Sequence, residues 1–215
     1  MRVIVGKNCR EMTETELINW SQNWDSVFID IGTGDGRFVL DQARNFPRNL
    51  CIGIDANADA LREASRKTIV KPTRGGISNA LFVWASVGAL PPELHGMASK
   101  ITINYPWGSL LQALVAPNVE VLKGIAHLAK PGASLTILIN ISVFENPEYC
   151  QKLGLPELTL ERAKTTLPWD YREAGIDIKS IKILDQGSPN STTWGQKLTK
   201  GSGSRKTLVI EAIIR

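Results

Sequence analysis

The sequence predicts an α/β fold of the Rossmann-like kind, a mostly parallel sheet with helices on both faces. Three observations carry this. Apolar, β-branched runs alternate with stretches of helical spacing along most of the 215 residues. The first such run, Val27 to Ile31, ends in glycines at alternate positions, Gly32, Gly34 and Gly36, and then opens into a helical pattern. A second run, Leu50 to Asp55, ends in an acid. Strand, glycine turn, helix, strand, acid is the sequence form of a nucleotide-binding βαβ unit.

In chain order, Met1 to Cys9 alternates weakly around Gly6-Lys7-Asn8, as a short hairpin does. Thr13-Glu14-Thr15-Glu16 is a capping box opening a helix with Leu17, Ile18 and Trp20 on its apolar face. The first sheet strand is Val27 to Ile31, and a helix follows from about Gly36 to Asn45. The second strand is Leu50 to Asp55, with a helix begun near Asn57 that sets Arg62 and Arg66 on one face. Lys71-Pro72-Thr73-Arg74-Gly75-Gly76 breaks the pattern and is a loop.

Strands at Ala80 to Trp84 and Lys100 to Tyr105 come next. Helical spacing resumes with Leu110, Leu111 and Leu114, and again from Val119 to Leu128. Lys130-Pro131-Gly132 reads as a turn into a fifth strand, Ser134 to Asn140. Residues 145 to 175 are helical with irregular stretches, Ile176 to Leu184 is a sixth strand, and Thr207 to Ile214 a seventh. The expectation is a seven-stranded, mostly parallel sheet, a short N-terminal hairpin over residues 1–10, and one domain spanning 1–215. Neither an internal repeat nor a domain-separating linker interrupts it.

Composition excludes several classes. An apolar fraction of 43% is that of a globular chain, long enough to bury a sizeable core. No apolar run reaches the roughly 18 residues of a membrane span, and the N-terminus lacks a secretory pattern. A cytoplasmic protein without a membrane partner is expected. Cys9, Cys51 and Cys150 are odd in number and far apart, so they read as reduced thiols and no metal site is expected.

Ligands of such sheets bind beyond the carboxyl ends of the strands. Four segments should therefore converge: the loop after Asp30, Asp55, the segment after Trp84 and the segment after Asn104. The glycine spacing is G-x-G-x-G, with Asp30 before the loop and Asp35 inside it. Two carboxylates would repel a pyrophosphate but suit a ligand carrying an ammonium and a sulfonium, which is S-adenosylmethionine (SAM). Asp55 would accept hydrogen bonds from the ribose. The fold class is then that of class I SAM-dependent methyltransferases.

The net charge of +4 is modest, but its distribution is informative. No acid occurs from Ala64 to Pro92, while Arg66, Lys67, Lys71 and Arg74 do. None occurs from Gln186 to Ile210 either, a stretch that carries Lys197, Lys200, Arg205 and Lys206. Two such runs point to a polyanion, with nucleic acid favoured, and these eight residues are its candidate contacts.

Asn104-Tyr105-Pro106-Trp107-Gly108 closes the fourth strand, where the substrate of a methyltransferase lies. Trp107 stands where exocyclic-amine methyltransferases carry a second proline, so their amine-binding geometry is not expected. A loop tryptophan there can stack on a flat base, and Trp194, in the second basic stretch, can supply the other face of a sandwich. His95 and His127 fall away from the expected pocket. A ring nitrogen with a free lone pair needs no general base to attack a sulfonium methyl. It needs extrusion, alignment and stabilisation of the cationic product.

These residues resemble the aminoglycoside-resistance 16S rRNA methyltransferases that modify adenine 1408 at N1. Ile29-Asp30-Ile31-Gly32-Thr33-Gly34-Asp35-Gly36-Arg37 looks like the family's SAM loop, and Ile52-Gly53-Ile54-Asp55 is similar to its ribose strand. Lys71-Pro72-Thr73-Arg74-Gly75-Gly76-Ile77-Ser78-Asn79 resembles its basic linker, and Tyr105-Pro106-Trp107-Gly108 its substrate loop. The last two motifs are the more specific. Gly88 lacks the acid some relatives carry, and Val70 stands in place of a basic residue.

The resemblance implies that Asp30 and Asp55 hold SAM, together with Gly32, Thr33, Gly34, Arg37 and Ala56. Val87 and Gly88 would lie near its adenine and Thr192 near the methyl, and Asn104, Tyr105 and Pro106 would also bind the cofactor. Trp107 and Trp194 would stack on the flipped base. The family's partner is 16S rRNA in the assembled 30S subunit, met by a monomer, and the modification gives aminoglycoside resistance. Two other readings stay open: a tRNA methyltransferase of the same fold, such as a guanine-N7 enzyme, and a SAM- or nucleotide-binding module without catalysis. A nicotinamide oxidoreductase is disfavoured by the acids of the glycine loop.

Overall fold

The computed structural model describes residues 1–185 and 206–215. Its sheet comprises β1 (Arg2–Val5), β2 (Asn8–Glu11), β3 (Ser26–Ile31), β4 (Asn49–Asp55), β5 (Ala80–Trp84), β6 (Ala98–Asn104), β7 (Ala129–Asn140), β8 (Ile176–Leu184) and β9 (Thr207–Ile214). Their order is β2-β1-β5-β4-β3-β6-β7-β9-β8. Strands β5, β4, β3, β6 and β7 run parallel, and β9 lies antiparallel between β7 and β8.

Two expectations are corrected. The N-terminal hairpin is part of the sheet: β1 pairs antiparallel with β5 through Val3 and Val83, so the sheet has nine strands among the described residues, not seven. Val3 and Ile4 are buried by this pairing, which also covers what would otherwise be the exposed edge of β5. Lys130-Pro131-Gly132 does not precede a strand but lies inside β7. The register slips there, so that Ala129 and Ser134 face Ala98 and Lys100, residues only two apart. Gly132, at φ +85°, absorbs the slack as a bulge.

Seven α-helices flank the sheet among the described residues: α1 (Glu14–Ser21), α2 (Arg37–Asn45), α3 (Ala58–Ile69), α4 (Gly108–Val115), α5 (Val119–His127), α6 (Pro147–Leu153) and α7 (Leu160–Glu173). The capping box at the start of α1 forms as its sequence requires, with Thr13 and Glu16 bonding reciprocally. Alternation along the strands splits the core in two. Ile29, Leu50 and Ile52 join Leu111, Ile125 and Leu167 of α4, α5 and α7 on one face. Phe28, Cys51 and Phe82 join Phe38, Val39 and Leu61 of α2 and α3 on the other. The chain order reverses between β3 and β6, and the carboxyl ends of both open into the same crevice.

Candidate donor cavity and nucleic-acid interface

A cavity of about 490 Å³ lies at that crevice, lined by the turn after β3, the tips of β4 and β6, and the segment after β5. Gly32, Gly34 and Gly36 all have positive φ, between 59° and 71°. Gly36 also permits close packing, since a Cβ there would stand 2.5 Å from a ring carbon of Phe82 and 2.7 Å from Ala64. The turn is thus pinned to β5 and α3 while its backbone faces the cavity.

Asp30 forms the cavity floor at 2% exposure. Its Oδ1 accepts from Thr102 Oγ1 at 2.6 Å and from Asn104 Nδ2 at 2.8 Å, both on the neighbouring β6. Burial pushes its pKa up to about 6, against those hydrogen bonds, which favour the ionised form. The Asp55 carboxylate raises it further. Thr33 Oγ1 is buried with no well-formed hydrogen bond, although it lies close enough to favour the Asp30 charge. A buried carboxylate beside an under-used hydroxyl fits the ammonium and carboxylate of an amino-acid moiety.

Asp55 is held differently. Oδ2 accepts from the Gly34 amide at 2.7 Å and Oδ1 from the Asn57 amide at 2.8 Å. Each oxygen keeps a second lone pair for a ribose hydroxyl. Trp84 Nε1 donates to the Ala56 carbonyl at 3.0 Å, and the Arg2 guanidinium stacks over the Trp84 ring at 3.9 Å. The N-terminal hairpin thereby braces the segment after β4.

The substrate end is shaped by strain. Tyr105 is the one non-glycine with positive φ among the described residues, at 52°. It is 4% exposed, packs with Leu138 and Val209, and donates its amide to the Leu138 carbonyl at 2.7 Å. These contacts impose the kink that turns Pro106 and Trp107 outward. Trp107 lines the cavity mouth at 45% exposure and meets Tyr149 edge to face.

The structure brings together Asp30, Gly32, Thr33, Gly34, Asp55, Ala56, Val87, Asn104, Tyr105, Pro106 and Trp107 around one cavity. It does not bring Arg37 or Gly88 there. The Arg37 side chain reaches Asp35, with Nε 3.5 Å from Oδ2, and Gly88 lies just past the lining segment. Sequence reasoning placed the segment after Trp84 at the pocket without naming Ala85 and Ser86, and missed Ser109 and Leu110 of the lining and Thr102 beneath it. Position at a strand end was a signal for the first two. Only the β3–β6 register reveals Thr102. His95 and His127 are exposed, 5.3 Å apart between ring centres, and line no part of the cavity.

Arg66, Lys67, Lys71 and Arg74 are exposed at the end of α3 and in the turn that follows. None of the four ion-pairs with a carboxylate among the described residues, whereas Arg62 is tied to Asp59 and to the Lys7 carbonyl. The segment is built rather than slack: the amides of Arg74 and Gly76 donate to the Lys71 carbonyl, and that of Ile77 to the Lys67 carbonyl. Lys206 lies 3.8 Å from Asp185. Thr192, Trp194, Lys197, Lys200 and Arg205 lie outside the described residues.

Comparison with known proteins agrees with this geometry. A family described as 16S rRNA (adenine(1408)-N(1))-methyltransferase matches residues 2–214. The chain is 34% identical over 208 residues to the Escherichia coli protein of that description, covering 94% of this chain and 93% of that one. It is 40% identical to the antibiotic-resistance methyltransferase Kmr, with a TM-score of 0.84 and all of both chains covered. A tryptophan-to-alanine mutant of the Catenulisporales acidiphilia 16S rRNA (adenine(1408)-N(1))-methyltransferase, solved with cosubstrate SAM, is 27% identical, with a TM-score of 0.90. The likeness covers 100% of this chain and 96% of that one. Likeness to a tRNA (guanine-N(7)-)-methyltransferase of Oenococcus oeni is partial, at 28% identity over 57% of this chain.

Proposed function

This chain belongs to the 16S rRNA (adenine(1408)-N(1))-methyltransferase family, and from that premise we propose its substrate, setting and working residues. It is a SAM-dependent methyltransferase that acts on N1 of adenine 1408 in 16S rRNA and gives aminoglycoside resistance. It works in the cytoplasm as a monomer on the assembled 30S subunit.

SAM supplies an electrophilic methyl on a sulfonium. Asp30 and Thr33 hold the amino-acid end, Asp55 the ribose, and Ser86 and Val87 flank the adenine. Arg66, Lys67, Lys71 and Arg74 grip rRNA phosphates, a cationic face without carboxylate partners among the described residues and suited to counterion release. Trp107, with Trp194 as its partner, takes the extruded base, and stacking worth about 1–3 kcal/mol per base offsets the cost of flipping. Their π faces also favour the positive charge developing on the methylated ring.

The single observation that carries this reading is Trp107, turned outward by the Tyr105 kink at the mouth of a cavity floored by a buried carboxylate. Tritiated SAM incubated with the protein and purified 30S subunits, 50S subunits or tRNA, followed by primer extension, tests it. A reverse-transcriptase stop at adenine 1408 in 30S subunits alone is expected, lost in Trp107→Ala with SAM affinity unchanged. Label only in tRNA, or none, overturns the reading.

A further inference from the structure

Tyr149 lies outside the donor cavity, on α6, 42 positions from the loop it touches (Trp107 to Tyr149). The Asn146 side chain caps the helix by accepting the Tyr149 amide at 3.0 Å, which fixes where the ring projects. From there Tyr149 makes two contacts to the substrate loop. Its ring meets the Trp107 indole edge to face, with centroids 5.4 Å apart and planes at 69°. Its hydroxyl oxygen accepts the Gly108 amide at 3.1 Å. Trp107 is the N-cap of α4 and makes no side-chain capping bond, so the Tyr149 hydroxyl satisfies a first-turn amide that the cap leaves over.

One contact orients the indole plane, and the other holds the backbone from which the indole grows. Gly108, at φ +57°, takes a left-handed conformation open to glycine at no steric cost, and the Tyr149 hydroxyl holds its amide there. A half-exposed tryptophan without such support loses rotamer freedom when a base stacks on it, and that loss subtracts from the stacking energy. An indole already held loses little.

We infer that Tyr149 is a positioning residue for methyl transfer, presetting the Trp107 ring in the orientation on which the extruded adenine stacks. The inference rests on the reading of Trp107 as the base-stacking residue. Docking of the subunit depends on the basic face and SAM binding on the cavity, and Tyr149 belongs to neither. Its effect falls on the step after docking, in kcat rather than in KM or SAM affinity.

The test combines kinetics with a readout that needs no substrate. Protein labelled with 5-fluorotryptophan gives a ¹⁹F resonance for Trp107, assigned by its loss in Trp107→Phe. The expected wild-type resonance is single and sharp. In Tyr149→Leu it shifts and broadens, kcat on 30S subunits falls about five- to tenfold, and KM and SAM affinity stay within twofold. Tyr149→Phe keeps the ring edge but loses the Gly108 anchor, and recovers kcat in part.

A wild-type Trp107 resonance already broadened by exchange overturns the inference, whatever the variants do. So does a Tyr149→Leu variant with unchanged kcat, or one whose SAM affinity falls in step with it. If the wild type leaves 30S subunits unmethylated, the functional reading fails, while the ¹⁹F spectra still decide whether Tyr149 orders the indole.

Discussion

Asp30 sits among neutral donors, with no basic side chain among the described residues favouring its charged form, so ionisation is costly until a ligand supplies a cation. Burial, the largest cause, lifts its pKa from 3.8 to about 6. The proton and SAM's ammonium therefore compete. SAM affinity is expected to fall as pH drops below about 6, approaching tenfold per unit, in calorimetric titrations. Stability of the ligand-free protein runs the other way. A raised carboxyl pKa contributes stability that is full below the unfolded value and is lost as pH rises through about 6. Asp30→Asn should hence melt higher than wild type at pH 7 to 8 without ligand, yet bind SAM weakly and without pH dependence. A variant that melts lower, or keeps wild-type affinity, contradicts this account.

Strand ends, a capped helix and one compact turn set the site at the next scale. The turn after α3 holds Lys71 and Arg74 on a hydrogen-bonded frame continuous with Arg66 and Lys67 of the helix. Charge reversal there should act on docking alone. Lys67→Glu combined with Lys71→Glu is expected to weaken 30S binding and lower its salt dependence, with SAM affinity unchanged, in filter-binding assays across a salt series. The two elements misjudged from sequence share a cause. Pro131-Gly132 carries a local turn signature, but pairing with β6 on both sides of it, at Ala129 and at Ser134, continues the strand through a bulge. The hairpin joins the sheet because Val83 of β5, 80 positions beyond Val3, offers it an edge.

Across the whole molecule, β3, β4, β5 and β6 deliver four chain segments to one crevice, and the hairpin locks the far side through Arg2 on Trp84. A ligand touching all four segments couples their stabilities. SAM at 100 times its dissociation constant should add about 2.7 kcal/mol, roughly 5–10 °C in melting temperature for a chain of this size. Differential scanning fluorimetry measures this directly. S-adenosylhomocysteine, which keeps the amino-acid and ribose ends, is expected to give a shift of the same order.

What the sequence determined by itself is whatever local spacing encodes. The β-branched runs gave the strands of the central sheet, the glycines their turn, and Asp30 and Asp55 a place at strand ends, where this topology always puts ligands. Trp107 was legible because proline and glycine flank it just past a strand. Tertiary structure alone decided the rest. Thr102 and Asn104 became the donors to Asp30 through the β3–β6 register, Trp84 and Arg2 through the hairpin's docking, and Tyr149 through the packing of α6 against α4. Arg37, expected in the loop's grip, has its side chain beside Asp35, which itself lines the cavity. Sequence periodicity fixes which face a side chain takes within its own element, but partners between elements follow from packing, which no local pattern carries.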